Sequence, residues 1–222
     1  MTPTSRLLSR VLVAGVLAAG ALGATGLVAS PASAASADSS TEPVSAEDAE
    51  LQAAVVAAED RRITEIRTVT SLARWRGDNW KTPYRLGTEG GYTLVLTPRS
   101  TPYTVEDLLQ LAPQTFLKLS DGSFFLTEHL VVMPRATLNL GEPGGLNLRL
   151  ASSHDGFATI LSFGGELIIG GEAGSEVAIT SWDLAAGEPD ATTLDGRAYV
   201  RAIGGQFEAT YANLSNLGFW SG

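Results

Sequence analysis

Glu166-Leu167-Ile168-Ile169-Gly170-Gly171, Val177-Ala178-Ile179-Thr180-Ser181-Trp182-Asp183 and Tyr199-Val200-Arg201-Ala202-Ile203-Gly204-Gly205 are three short alternating apolar runs, each bounded by glycine or polar residues. Alternation with period two places one side of each run against a core. Similar runs centre on Leu138–Leu140, Leu146–Leu150, Ala158–Leu161 and Phe207–Tyr211. Paired glycines at 144–145, 164–165, 170–171 and 204–205 punctuate them. No helical periodicity interrupts the series. Leu138, Ala158, Val177 and Tyr199 recur at about 20 residues, too far apart for hairpins and suited to one turn of a parallel coil of short strands. An antiparallel sandwich also carries short strands every 8–12 residues; the repeated glycine corners favour the coil. The expected fold is mostly β, a right-handed parallel β-helix (solenoid) over 136–222.

Upstream, the chain changes character several times. Residues 1–34 have Arg6 and Arg10 as their only charges, an apolar stretch, and Ala32-Ser33-Ala34 before a cut site. This is the layout of a secretory signal peptide, which predicts a secreted, extracellular protein with no membrane contact after cleavage. Residues 35–44 are Ala, Ser, Asp, Glu, Thr, Pro and Val without periodicity, and read as a disordered linker. The segment 45–81 reads as an N-terminal helix and connector. Ser45 and Asp48 suit a capping box, and Leu51, Val55, Ala58, Arg62 and Ile66 form a narrow stripe. The helix is expected over 46–60, laid on another surface.

The segment 82–135 reads as a mixed α+β cap. Tyr84–Leu86 and Tyr92–Leu96 flank Thr88-Glu89-Gly90-Gly91 as a hairpin, and Asp121-Gly122 separates a second pair of strands. Between them, Thr104 caps a short helix with Asp107 reaching back.

Of 222 residues, 15 are basic and 24 acidic. Cleavage after Ala34 removes two arginines and no acid, so the mature balance is −11. Such a surface repels nucleic acid and anionic membranes. There is no cysteine, which excludes disulfides, thiolate metal sites and a cysteine nucleophile.

The segments Gly165–Gly171, Val177–Asp183 and Asp195–Gly205 resemble the opening coils of secreted right-handed parallel β-helix proteins. These form the pectin-lyase-like superfamily, which includes mannuronan C5-epimerase-like members. The resemblance covers about residues 115–222. It implies an extracellular polysaccharide as partner and a lyase or epimerase reaction. In that chemistry the C5 proton of a uronate is removed while a cation or arginine stabilises the developing charge. Catalytic residues of the family usually lie on later coils. The epimerase-type Asp-Pro-His-Asp motif is absent here, and Ser153-His154-Asp155 echoes it in part.

His154 and Asp155 are the candidate catalytic pair, a histidine beside a carboxylate acting as general base. The same stretch also reads as an exposed Asp-Gly turn. Arg197, Arg201 and Trp182 are candidate substrate contacts, the arginines for a uronate carboxylate and the indole for a sugar ring; the arginines equally suit pairing with Asp183 or Asp195, and Trp182 suits core packing. Asp183, Asp190 and Asp195 are candidate ligands for Ca²⁺, although their spacing fits no Ca²⁺ loop and a solvated acidic loop is the plainer reading. His129 reads as a packed histidine.

The apolar pattern runs to Gly222 without a polar cap. This reads as the front part of a longer solenoid whose catalytic coils are absent, with self-association through an open C-terminal coil. A non-catalytic extracellular or carbohydrate-binding solenoid is the alternative function.

Overall fold

In the computed structural model, residues 45–75 and 82–218 are described, and all of them fall in one compact unit, 43–222. The expected signal peptide (1–34) and linker (35–44), and Phe219 and Trp220, lie outside the described residues.

The first described element is helix α1 (Ala46–Trp75). The Ser45 hydroxyl accepts from the Asp48 amide at 3.0 Å, as an N-cap does. A hairpin follows, β1 (Tyr84–Thr88) with β2 (Gly91–Leu96), antiparallel. Helix α2 (Val105–Leu111) carries the full capping box of Thr104 and Asp107. A second antiparallel hairpin joins β3 (Phe116–Lys118) to β4 (Phe124–Leu126). Then come β5 (His129–Val132), β6 (Thr137–Asn139), β7 (Leu146–Ser153), β8 (Gly156–Phe157), β9 (Thr159–Phe163), β10 (Glu166–Gly170) and β11 (Val177–Asp183). The last are β12 (Glu188–Pro189), β13 (Tyr199–Ile203), β14 (Gln206–Thr210) and β15 (Ala212–Ser215).

The strands form three sheets, mostly by parallel pairing. In sheet A, β2, β5, β9 and β13 stack in that order. Sheet B stacks β6, β10 and β14, with Tyr103 bridging to Leu138 beyond β6. Sheet C stacks β4, β7, β11 and β15. The chain therefore visits A, B and C in a fixed order four times, each circuit lying on the previous one. Long-range parallel pairing of this kind lets a short run of one circuit bury its inward side chains on the same positions of the next. Leu138, Leu167 and Phe207 form one such inward column, and Leu148, Ile179 and Leu214 another.

Two expectations change. Leu138 pairs with Leu167 and Leu130 with Ile160, so a circuit takes about 30 residues, rising to about 40 between Ile160 and Val200. The recurrence near 20 links strands of different sheets: Leu138 lies in B, Val177 in C and Tyr199 in A. The three strands of one circuit look alike in sequence, so their spacing masks the longer period. Parallel stacking also begins at β2, so 82–135 supplies the first circuit, with α2 and a hairpin inserted.

Corners demand glycine where one circuit sits on the next. A Cβ on Gly205 would lie 2.0 Å from the Gly165 carbonyl oxygen, at a φ of 74°. Gly165 in turn lies under Met133 and Ala136, whose carbonyls a Cβ would meet at 2.6 and 2.9 Å.

α1 continues past the expected end at residue 60, and Gln52, Glu59, Arg62, Ile63, Ile66 and Thr70 are buried; of the expected stripe Arg62 and Ile66 are buried and Val55 half-buried, while Leu51 and Ala58 are exposed. Ile63 and Ile66 pack on Val95, Val131 and Leu161, the outward side of sheet A. Docking supplies stability that the β-branched residues of the second half of the helix do not.

Candidate functional site

The loop after β11 folds back onto the coil. Asp183 accepts from the amides of Ala185 and Ala186 at 2.7 and 3.1 Å, closing a turn. Asp190 is buried: one carboxylate oxygen accepts from Ser152 Oγ at 2.6 Å and the other from the Thr192 amide at 2.8 Å. Asn216 donates to the Asp190 carbonyl at 3.1 Å, tying the last circuit to the same loop. Asp195 stands across from His154, Nδ1 to Oδ2 at 3.7 Å. The three aspartates thus serve three separate contacts. Among the described residues no group of three or more His, Asp or Glu is placed to hold a metal ion.

His154 and Asp155 occupy the exposed turn between β7 and β8. The His154 side chain is 82% exposed and faces Asp195, not its sequence neighbour. The Asp155 amide donates to Ser153 Oγ at 3.3 Å, as turn residues do.

The three candidate substrate contacts lie apart. Arg197 donates to the carbonyls of Gly218 and Leu217 at 3.1 and 3.4 Å. Arg201 is exposed on the outward side of β13. Trp182 is on sheet C, where the Arg149 guanidinium lies 4.0 Å from the centre of its ring, and Arg149 also pairs with Asp121 at 2.9 Å. Arg197 and Arg201 share a strand parity, but Arg197 precedes β13 and turns to the last circuit, so they form no common clamp.

The densest polar constellation lies elsewhere, between α1 and sheet A. Thr93, His129, Thr159 and Tyr199 occupy one register position across β2, β5, β9 and β13. All four are buried, beneath Glu59 and Arg62 of α1. Arg62 donates through Nε to Glu59 at 2.7 Å, through Nη1 to Thr93 at 3.3 Å and through Nη2 to Thr159 at 3.0 Å. The Tyr199 hydroxyl donates to the Glu59 carboxylate. Burial, then the charge of Glu59, pushes the Tyr199 phenol up. Burial pushes the His129 imidazole down to about 4, and the charge of Arg62 adds to the shift. Buried charges survive only when paired and hydrogen-bonded, and here each is.

Sequence reading placed Arg62 on the helix stripe and His129 in a strand, but not Glu59, Thr93, Thr159 or Tyr199 as a set. Charged residues at 59 and 62 inside an otherwise inward stripe were the signal available.

No protein-family model matches the chain, and no curated protein does. Among solved structures, the chain is similar to the crystal structure of the periplasmic alginate epimerase AlgG, at 16% identity and a TM-score of 0.45. The likeness covers 55% of this chain and 27% of that one, so the chain spans about a quarter of that enzyme. Among the described residues, no helix is long and apolar enough to cross a membrane.

Proposed function

We propose that the chain is a secreted, polysaccharide-directed right-handed parallel β-helix protein whose described circuits act as scaffold and binding surface. The observation that carries this reading is the engagement of the candidate catalytic groups. A uronate lyase or epimerase needs a base, a charge stabiliser and a groove converging on one face. Here His154 faces solvent and Asp195, Asp190 holds the loop to the coil, and Arg197 closes the last circuit. What remains outward is Arg201 on one sheet and the Arg149–Trp182 stack on another. The exposed Arg201 guanidinium and the half-buried Arg149–Trp182 pair suit acidic sugars as ligands without implying turnover. The signal-peptide pattern of residues 1–34 supports export.

Calorimetry against alginate and pectate oligosaccharides, with absorbance of the unsaturated product and NMR of C5 configuration on the same samples, tests the proposal. Binding without turnover is expected, and Arg201→Ala weakens it. Robust lyase or epimerase activity overturns the scaffold reading, and absence of binding to every acidic polysaccharide overturns the choice of partner. N-terminal sequencing of exported protein is expected to begin at Ala35.

A second feature supports self-association. The inward columns of the coil emerge on the fourth circuit as exposed side chains, Phe207 at 46% and Leu214 at 41%, with Tyr211 at 59% beside them. Among the described residues, β13, β14 and β15 each pair in parallel on one side. Strand edges without a partner among the described residues, beside apolar side chains, favour pairing with another chain.

A further inference from the structure

The contact between α1 and sheet A is held chiefly by polar groups. Among the described side chains of α1, Ile63 and Ile66 are the buried large apolar ones, while Gln52, Glu59, Arg62 and Thr70 make up the rest of its buried face. The main core lies on the other side of the sheet, around Leu94, Leu130 and Ile160. Loosening α1 therefore leaves the interior of the coil packed. Elements with few buried apolar contacts open at lower free energy than the core.

The hydrogen bonds under α1 have a direction. His129 Nε2 lies 3.2 Å from the Gly90 carbonyl, which only accepts, so the imidazole hydrogen sits on Nε2. Nδ1 then carries a lone pair and accepts from Thr159 Oγ at 3.0 Å. Thr159, having one proton to give, uses its oxygen to accept from Arg62 Nη2. The order is Arg62 to Thr159 to His129 to Gly90, and it requires a neutral imidazole.

A proton on Nδ1 reverses the middle link. Thr159 Oγ would then face two donors and could no longer donate to Nδ1. Two cations would also stand beside one hydroxyl. The groups acting on the His129 ring are Arg62 and Glu59 from α1, Thr159 from β9, the Gly90 carbonyl of the turn before β2, and Glu128, which precedes β5. Glu59 is already shared by Arg62 and Tyr199, and Glu128 by Arg85 and Thr115, at 2.8 Å each. Both carboxylates favour a charged ring in part, but burial and the charge of Arg62 outweigh them.

We propose that α1 is an acid-released strap: protonation of His129 breaks the directed chain through Thr159 to Arg62, detaches α1 from sheet A, and uncovers the row Thr93, His129, Thr159 and Tyr199 with the short apolar patch of Val95, Val131 and Leu161 beside it. The low imidazole pKa fits this, since the docked state favours the neutral ring.

Hydrogen exchange of the full chain at pH 7 and pH 4, corrected for intrinsic rates, tests the strap. Amides of residues 59–66 are expected to lose at least tenfold of their protection at pH 4, while β7 and β11 keep theirs. His129→Asn keeps an acceptor near the place of Nδ1 and does not titrate, so α1 in this variant is expected to stay protected at pH 4. Thr159→Val cuts the chain directly, so α1 is expected to loosen already at pH 7, and this arm stands whether or not the Asn variant folds. Protection of α1 that is unchanged at pH 4, that falls equally in His129→Asn, or that falls together with β7 and β11 overturns the proposal. So does a Thr159→Val chain with α1 as protected as in the unaltered protein.

Discussion

The Tyr199 hydroxyl, on β13 at the edge of sheet A, donates to the carboxylate of Glu59, 140 residues earlier on α1. This bond joins the first described element to the last circuit. Glu59 is shared with Arg62 on its own helix, so the tyrosine completes a buried ion pair rather than forming one.

That hierarchy sets the cost of substitutions. Tyr199→Phe removes the hydrogen bond to the Glu59 carboxylate and is expected to lose about 1.5–3 kcal/mol. Glu59→Leu leaves Arg62 buried and unpaired, and is expected to lose about 3–5 kcal/mol. Glu59→Leu with Arg62→Met removes both charges and is expected to recover most of that loss. Urea unfolding midpoints of the four chains test the ranking; a double variant as weak as Glu59→Leu alone would contradict it.

His129 is expected to stay neutral, with its hydrogen on Nε2, down to about pH 4. Its folded pKa lies below the ordinary 6.5, so the neutral ring contributes stability that is fully present above 6.5 and lost as pH falls from 6.5 towards 4. The full loss is roughly 3 kcal/mol, capped by the free energy of releasing α1. Imidazole ¹⁵N shifts followed across pH 3–8 report the tautomer and the titration. A midpoint above pH 6 would show that the ring is not held as described.

Gly205→Ala would place a methyl group against the Gly165 carbonyl at a positive φ. It is expected to destabilise by more than about 2 kcal/mol, through steric overlap added to backbone strain. Gly174 also has positive φ but nothing within 4 Å of a Cβ, so Gly174→Ala is expected to cost only about 1 kcal/mol or slightly more. Thermal unfolding of the two variants separates corner stacking from conformational strain; equal shifts would deny the stacking.

Phe207→Ser with Leu214→Ser is expected to reduce oligomers in light scattering with little change in the unfolding midpoint, because both side chains are already exposed. Exchange of backbone amides is expected to be faster in β14 and β15 than in β7. A chain that scatters as a monomer before substitution would remove the self-association reading.

The residues themselves determined the local elements. Alternation marked β6, β7, β9, β10, β11, β13 and β14, because a strand with one buried side must repeat every second residue. The Thr104–Asp107 box marked the start of α2, because the unpaired amides of a first turn need acceptors close in sequence. Tertiary structure alone decided the rest. The circuit of about 30 residues emerged only from the parallel registers, since three look-alike strands per circuit hide which strand stacks on which. The same registers brought Thr93, His129, Thr159 and Tyr199 into one row, although they come from four separated segments. Asp183, Asp190 and Asp195 are close in sequence, yet a turn, the coil surface and His154 drew them to different contacts. Hydrogen bonds are satisfied by whatever lies within about 3 Å in space, and in a parallel stack those neighbours lie a whole circuit away in the chain.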